Sequence, residues 1–239
     1  MPDDKLLKVK TLGLEVECGY DSDTIPRRDW EIRYPHLHFG TDGSVVVDGY
    51  DEPSAEIKNY GTPAQMFEWL DELYNKVGIG VNSTCGLHTH LRFENMDAAL
   101  AICSSMSFWK DFRRRYVSKF RDNELYRQRL RNHYCMYTQE FPIAKILNQL
   151  ERHSGKSSER YTAINLNAYQ LYGTIEFRIL PYQRDSETAI SNLKWLIDTV
   201  EEIGNSYSEA GKTLFEDYMV IASLQERTEI EESYEIGVY

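Results

Sequence analysis

From Thr11 to Cys18 the side chains alternate one by one, Leu12, Leu14, Val16 and Cys18 against Thr11, Gly13, Glu15 and Glu17. A period of two marks a strand with one buried face, so the two carboxylates point the same way. The same alternation, bounded by turn residues, predicts strands at about 8–18, 43–48, 54–59, 86–93, 161–169 and 173–180. A helical period takes over in between. Residues 62–78 open with Thr62 and Pro63, carry an apolar stripe of Met66, Leu70, Leu73 and Val77, and stop at Gly78. A longer helical region, about 96–131, places Phe108, Phe112, Tyr116 and Phe120 at steps of four, a stripe that reads as core rather than as a base-stacking platform. Helices are also expected at 141–151, at 186–207 with Ser186 as N-cap, and at 209–225. The stretch RHSGKSSER (152–160) reads as a polar loop, and the acidic residues from 226 onward read as a loosely docked tail.

Applied to every strand, the alternation gathers one kind of chemistry. Glu56 opposes Ala55 and Ile57. His88, His90 and Arg92 oppose Leu87, Leu91 and Phe93. Asn165 and Asn167 oppose Ile164 and Leu166, while Glu176 and Arg178 oppose Ile175, Phe177 and Ile179. A single sheet then has an apolar face for helices to cover and a second face bearing Glu, His, Asn and Arg. An antiparallel sheet commonly leaves one face wet, and an isolated E-x-E or a Glu176–Arg178 pair has a plain reading as solvated charge. The residue types say more. Glu is depleted in strands and like charges repel, whereas four Glu and two His suit a hard or borderline cation, and arginines suit phosphate or carboxylate oxygens. On this reading Glu15 and Glu17 face a divalent metal.

Composition narrows the class. At 239 residues the chain can bury a sizeable core. It shows no apolar N-terminal leader pattern and no membrane-length apolar window, so a soluble cytoplasmic protein without a membrane partner is expected. Four widely spaced cysteines without a C-x-x-C pair argue for reduced, buried thiols. A net charge of −11 disfavours nucleic acid as a partner. The charge is uneven, because residues 110–133 hold nine Lys or Arg against three acids. That segment reads as a solvated helix face, an entrance for a polyanionic substrate, or a docking surface for an acidic partner. GKSS at 155–158 is not a phosphate loop, since Leu150 stands where the motif needs Gly.

In this order, the pieces GLEVE (13–17), TDGSV (41–45), SAEIKN (54–59), CGLHTH (85–90), RYTAINL (160–166) and GTIEFRILP (173–181) resemble the amidoligase family of the glutamine synthetase-like carboxylate-amine ligases. The resemblance implies an α+β fold: a curved antiparallel sheet of about five to six strands with helices packed on one face, as in glutamine synthetase and the guanidino kinases. It implies ATP and Mg2+ or Mn2+ on the polar face. By the same resemblance Glu15, Glu17, Glu56, His88 and Glu176 are metal ligands. Arg178 holds the acceptor carboxylate or the transferred phosphate, Arg160 neutralises phosphate, and His90, Arg92, Asp42 and Asn165 line the substrate pocket. The whole chain, 1–239, then reads as one catalytic domain with a mainly helical insertion at about 96–155 and a helical, acidic C-terminal region at about 186–239.

The implied activity is ATP-dependent amide or isopeptide formation through an acyl phosphate. Its partners are ATP, a carboxylate and an amine, each amine or carboxylate belonging to an amino acid, a peptide or a protein side chain; an oligomer stays open. Three alternatives stand beside it: a guanidino kinase-like phosphotransferase, a metal-dependent hydrolase built on His88, His90 and the carboxylates, and an inactive ligand-binding module.

Overall fold

The computed structural model of the protein describes residues 6–132, 135 and 161–206. The expected helix at 141–151, the loop at 152–160 with Arg160, the helix at 209–225 and the acidic tail lie outside the described residues.

Six strands form one sheet: β1 (Val9–Tyr20), β2 (His38–Thr41), β3 (Glu52–Gly61), β4 (Gly86–Phe93), β5 (Ile164–Asn165) and β6 (Ile175–Pro181). Their order is β2-β3-β1-β4-β6-β5, and each neighbouring pair is antiparallel. The architecture is therefore α+β with an open antiparallel sheet. The alternating apolar residues of β1, Leu12, Leu14, Val16 and Cys18, are buried as the pattern requires, together with Ile57 of β3, Leu91 of β4 and Phe177 of β6.

Helices cover that apolar side. Helix α1 (Arg27–Arg33), which carries no strong sequence signal, buries Trp30 against Trp69. Helix α2 (Pro63–Glu72) starts in a reciprocal Thr62–Gln65 capping box, continues as a π turn over Leu73–Val77, and ends at Gly78, whose φ of +75° favours a residue without Cβ. Its expected stripe of Met66, Leu70, Leu73 and Val77 is buried.

The continuous helix expected over 96–131 is instead three helices: α3 (Met96–Cys103), α4 (Met106–Phe120) and α5 (Glu124–Arg129). The breaks fall where Ser105 and Asn123 turn their side chains onto the free N–H groups of the next helix, accepting from Phe108 N and Leu125 N. Phe108, Phe112, Tyr116 and Phe120 are buried core, while Arg113 and Arg114 face solvent. A short α6 (Ala168–Tyr172) and a long α7 (Ser186–Ser206) follow among the described residues. The N-cap of α7 is Asp185, which accepts from Thr188 N, rather than Ser186. At the other end Gly204 leaves room for Leu7, whose side chain would lie 2.1 Å from a Cβ there.

Two expected strands are corrected. Residues 43–48 form a turn, because the Asp42 carboxylate accepts from both Ser44 N and Ser44 Oγ and folds the chain back. The alternation there is real but serves a satellite cluster, where Val45 and Val47 pack with Cys85 and Tyr182. The strand at 161–169 shortens to β5, since Asn165 Oδ1 accepts from Asn167 N and the resulting turn leads into α6. All four cysteines are free and buried, as expected. Among the described residues, no helix is long and apolar enough to cross a membrane.

Candidate active site

Antiparallel register brings the polar residues of five strands side by side. Glu15 of β1 pairs with Lys58 of β3 and His88 of β4, Glu17 pairs with Glu56, and Glu176 of β6 pairs with His90 and Asn165. His88 is the hub. Its Nδ1 lies 3.4 Å from Glu15 Oε2 and 3.5 Å from Glu176 Oε1, and its Nε2 lies 3.5 Å from Glu17 Oε1.

Two triads, Glu15–His88–Glu176 and Glu17–Glu56–His88, each present three ligand atoms within 4.8 Å of one another. Carboxylates with one imidazole suit magnesium or manganese-like cations, so these residues fit the divalent ion the sequence pattern calls for. A neutral imidazole has one lone pair, so His88 can serve one triad at a time.

Cations of the chain neutralise the same acids. Lys58 Nζ bridges Glu15 Oε1 at 2.9 Å and Glu56 Oε2 at 2.8 Å. Arg178 Nη1 and Asn165 Nδ2 donate to the two oxygens of Glu176, each at 2.6 Å. Arg129, 7% exposed, donates from Nε to the Arg178 carbonyl at 3.0 Å and sets Nη2 3.3 Å from His88 Nε2. A guanidinium only donates, so Nε2 accepts here. An ion on Nδ1 would put the ring proton on Nε2, where Glu17 rather than Arg129 is the suitable partner.

Electrostatics follow from this crowding. Burial opposes ionisation of Glu15, but hydrogen bonds and charge from His88 and His90 outweigh it and hold the carboxyl well below its usual range. Glu176 is likewise lowered, the charges of His90 and Arg178 overcoming burial. Glu56 is raised by burial and by the charge of Glu15. His90 is raised because Glu15 and Glu176 outweigh its burial. At Asp42 the Ser44 hydrogen bonds outweigh burial and lower the carboxyl.

The polar face is hollowed into two joined compartments. One, of about 370 Å³, holds the metal-type residues with Asp42, Asn165, Asn167 and Arg178. The second, of about 480 Å³, lies further along the strands over Gly13 and is lined by Thr11, His36, Tyr60, Arg92 and Thr174. Glu15, Lys58, His90 and Tyr172 wall both. Glu15, Glu17, Glu56, His88, His90, Asn165, Glu176 and Arg178 thus converge, and Asp42 reaches the edge of the first compartment. Arg92 stands apart in the second.

Lys58, Arg129 and the Tyr60 wall were not among the sequence candidates. Lys58 and Tyr60 follow Glu56 at steps of two, so alternation alone places them on the polar face. Arg129 has no such signal, because its burial depends on how α5 meets β6.

A buried, carboxylate-rich sheet face thus gathers around a histidine, with arginines beside it. The family described as "Putative amidoligase enzyme" matches residues 57–200, more than half of the chain, and the protein belongs to that family. The matched span contains His88, His90, Asn165, Glu176 and Arg178; β1 with Glu15 and Glu17 lies before it. No curated protein matches the chain.

Proposed function

We propose that the protein is an ATP-dependent carboxylate-amine ligase of the glutamine synthetase-like type, working through an acyl phosphate. The observation that carries this reading is the pair of acidic triads sharing His88, beside Arg178, on the face of an antiparallel sheet in an amidoligase family member. Glu15, Glu17, Glu56, His88 and Glu176 would hold Mg2+ or Mn2+, which when bound neutralises phosphate charge.

The chain's own residues do the rest. Arg178, paired with Glu176, is placed to take a substrate carboxylate or phosphate oxygen bidentately once that pair opens. Asn165 holds Glu176 in orientation. A carboxylate oxygen attacks the γ-phosphorus of ATP and ADP leaves with the bridging electron pair. The amine nitrogen then forms the C–N bond, phosphate leaves with the C–O electron pair, and the proton shed by nitrogen goes to phosphate or solvent. Catalysis rests mainly on positioning and electrostatics, as expected for phosphoryl transfer.

The test is ATP-dependent hydroxamate formation, with hydroxylamine as amine, magnesium, and a pool of amino acids and acidic peptides. Hydroxamate with equimolar ADP and phosphate is the expected result. ADP with a phosphorylated acceptor and no hydroxamate would replace the ligase by a phosphotransferase, and ATP-independent hydrolysis would replace it by a metallohydrolase.

A further inference from the structure

We propose that the compartment over Gly13 is the seat of the amine substrate, and that it selects an amine carrying an anionic group at the far end of a flat or apolar body. This rests on the ligase reading above.

The register defines the floor. Gly13 pairs with Tyr60 on one side and His90 on the other, and a Cβ at Gly13 would lie 3.1 Å from His90 Cβ and 3.6 Å from Tyr60 Cβ. Any other residue would fill the notch that the glycine leaves open between an aromatic and an imidazole. Its walls are apolar and flat. Tyr60 is backed by His36, stacked on it with ring centroids 3.8 Å apart, and Tyr172 stands edge-on to His90 at 5.6 Å. Tyr60 and Tyr172 are 51% and 60% exposed, although both are large aromatic side chains. Exposed aromatics grouped around one cavity mark a surface that something covers.

The two ends differ in charge. At the inner end the Glu15 carboxylate lines the compartment, with His90 Nε2 3.4 Å from its Oε1 and His90 Nδ1 engaged by Thr174 Oγ1 at 3.0 Å. A carboxylate at this end is the counter-charge an amine would meet. At the outer end, Arg92 pairs in register with Thr11, four residues from Glu15 along β1, or about 13 Å by strand rise. Arg92 is exposed and has no ion-pair partner among the described residues. The separation of Glu15 from Arg92 along the strands favours a ligand with a spacer between amine and anion.

The compartment's position chooses the amine over the nucleotide base. It shares Glu15, Lys58, His90 and Tyr172 with the metal-type compartment, so its occupant would lie directly beside whatever fills that compartment. A base is separated from the reacting phosphate by a ribose and two further phosphates.

The test uses the full chain, freed of metal and without ATP, so that it does not depend on turnover. Binding of 4-(aminomethyl)benzoate, benzylamine, 4-methylbenzoate and phenylalanine is measured by calorimetry and by saturation-transfer NMR. The first should bind about 10-fold tighter than each of the other three. Arg92→Gln should bring it down to the benzylamine level, and Tyr60→Ser, at an exposed position, should weaken all four probes. Equal affinity for the four probes, no detectable binding of the first, or an unchanged preference in Arg92→Gln overturns the proposal. So does full displacement of 4-(aminomethyl)benzoate by adenosine, which would make the compartment a base seat. A bound probe with no hydroxamate activity would count against the ligase reading alone, and hydroxamate without probe binding would count against the seat alone.

Discussion

The two faces of β1 were built from the same eight residues and ended in opposite energetic situations. On one face Leu12, Leu14, Val16 and Cys18 meet α2 and the core, where burial itself is the driving force. On the other, Glu15 and Glu17 meet His88, Glu56 and Glu176, and here burial is a cost that only neighbouring charges offset. Glu17, His88, His90 and Glu176 are nearly as inaccessible as the leucines behind them. The difference teaches that the polar face is no solvated surface. It is a buried, charged layer that Lys58, Arg178 and Arg129 keep tolerable.

The comparison is broken most forcefully at Glu176. Glu176→Gln should lower hydroxamate turnover by about 100-fold or more in a chain that still folds, since the amide oxygen can accept from Arg178 although its NH2 then faces Asn165 Nδ2. Turnover near wild type would remove Glu176 from the metal set. Behind the same sheet, Leu14→Ala should do the reverse. It should cost about 3 kcal/mol in denaturant unfolding, through lost burial and a residual cavity, with turnover per folded molecule within about twofold. A comparable loss of turnover in both variants would mean that the two faces are not separable.

Arg129→Met sharpens the boundary between the faces. It leaves the Arg178 carbonyl without its donor and the carboxylates around His88 with one cation fewer. Unfolding in the presence of chelator should show a loss of about 2 kcal/mol, and saturating Mn2+ should restore part of it. No recovery with Mn2+ would make Arg129 purely structural.

The smallest effect is placed on the helical side. Glu72 at the end of α2 accepts from Trp30 Nε1 and pairs with Lys76 and Arg33. Burial opposes its ionisation, but the Lys76 hydrogen bond and the Arg33 charge outweigh it, so its carboxyl lies below the ordinary 4.5. A lowered carboxyl contributes stability above about pH 4.5 and loses it as pH falls through the folded value. Glu72→Gln should therefore be less stable than wild type by about 1 kcal/mol at pH 7, the gap closing toward pH 3. A gap that does not change with pH would assign the effect to packing.

Much of the sheet was legible because a period of two leaves a strong trace. Strands β1, β3, β4 and β6 lie within a few residues of expectation, and the helix from Pro63 to Val77 keeps its cap, stripe and stop. The misreadings share one cause, short polar side chains that bond to the nearby backbone. Asp42 turns 43–48 away from the ladder, Asn165 ends β5 after two residues, and Ser105 and Asn123 divide one expected helix into three. Periodicity does not register these local bonds, because it averages over a window and a cap acts at one residue.

The sequence by itself determined which side chains share a face, because alternation is a property of the extended backbone. That was enough to name Glu15, Glu17, Glu56, His88 and Glu176 as companions, and buried thiols as the fate of the cysteines. It could not determine which companions touch. Only the strand order β2-β3-β1-β4-β6-β5 and its register set His88 between Glu15, Glu17 and Glu176, placed Lys58 across two carboxylates, and opened a notch over Gly13 between Tyr60 and His90. Only the docking of α5 on β6 took Arg129 out of a basic surface and buried it beside the site. The face of a side chain is fixed by its two chain neighbours, whereas its contacts depend on residues far away in sequence.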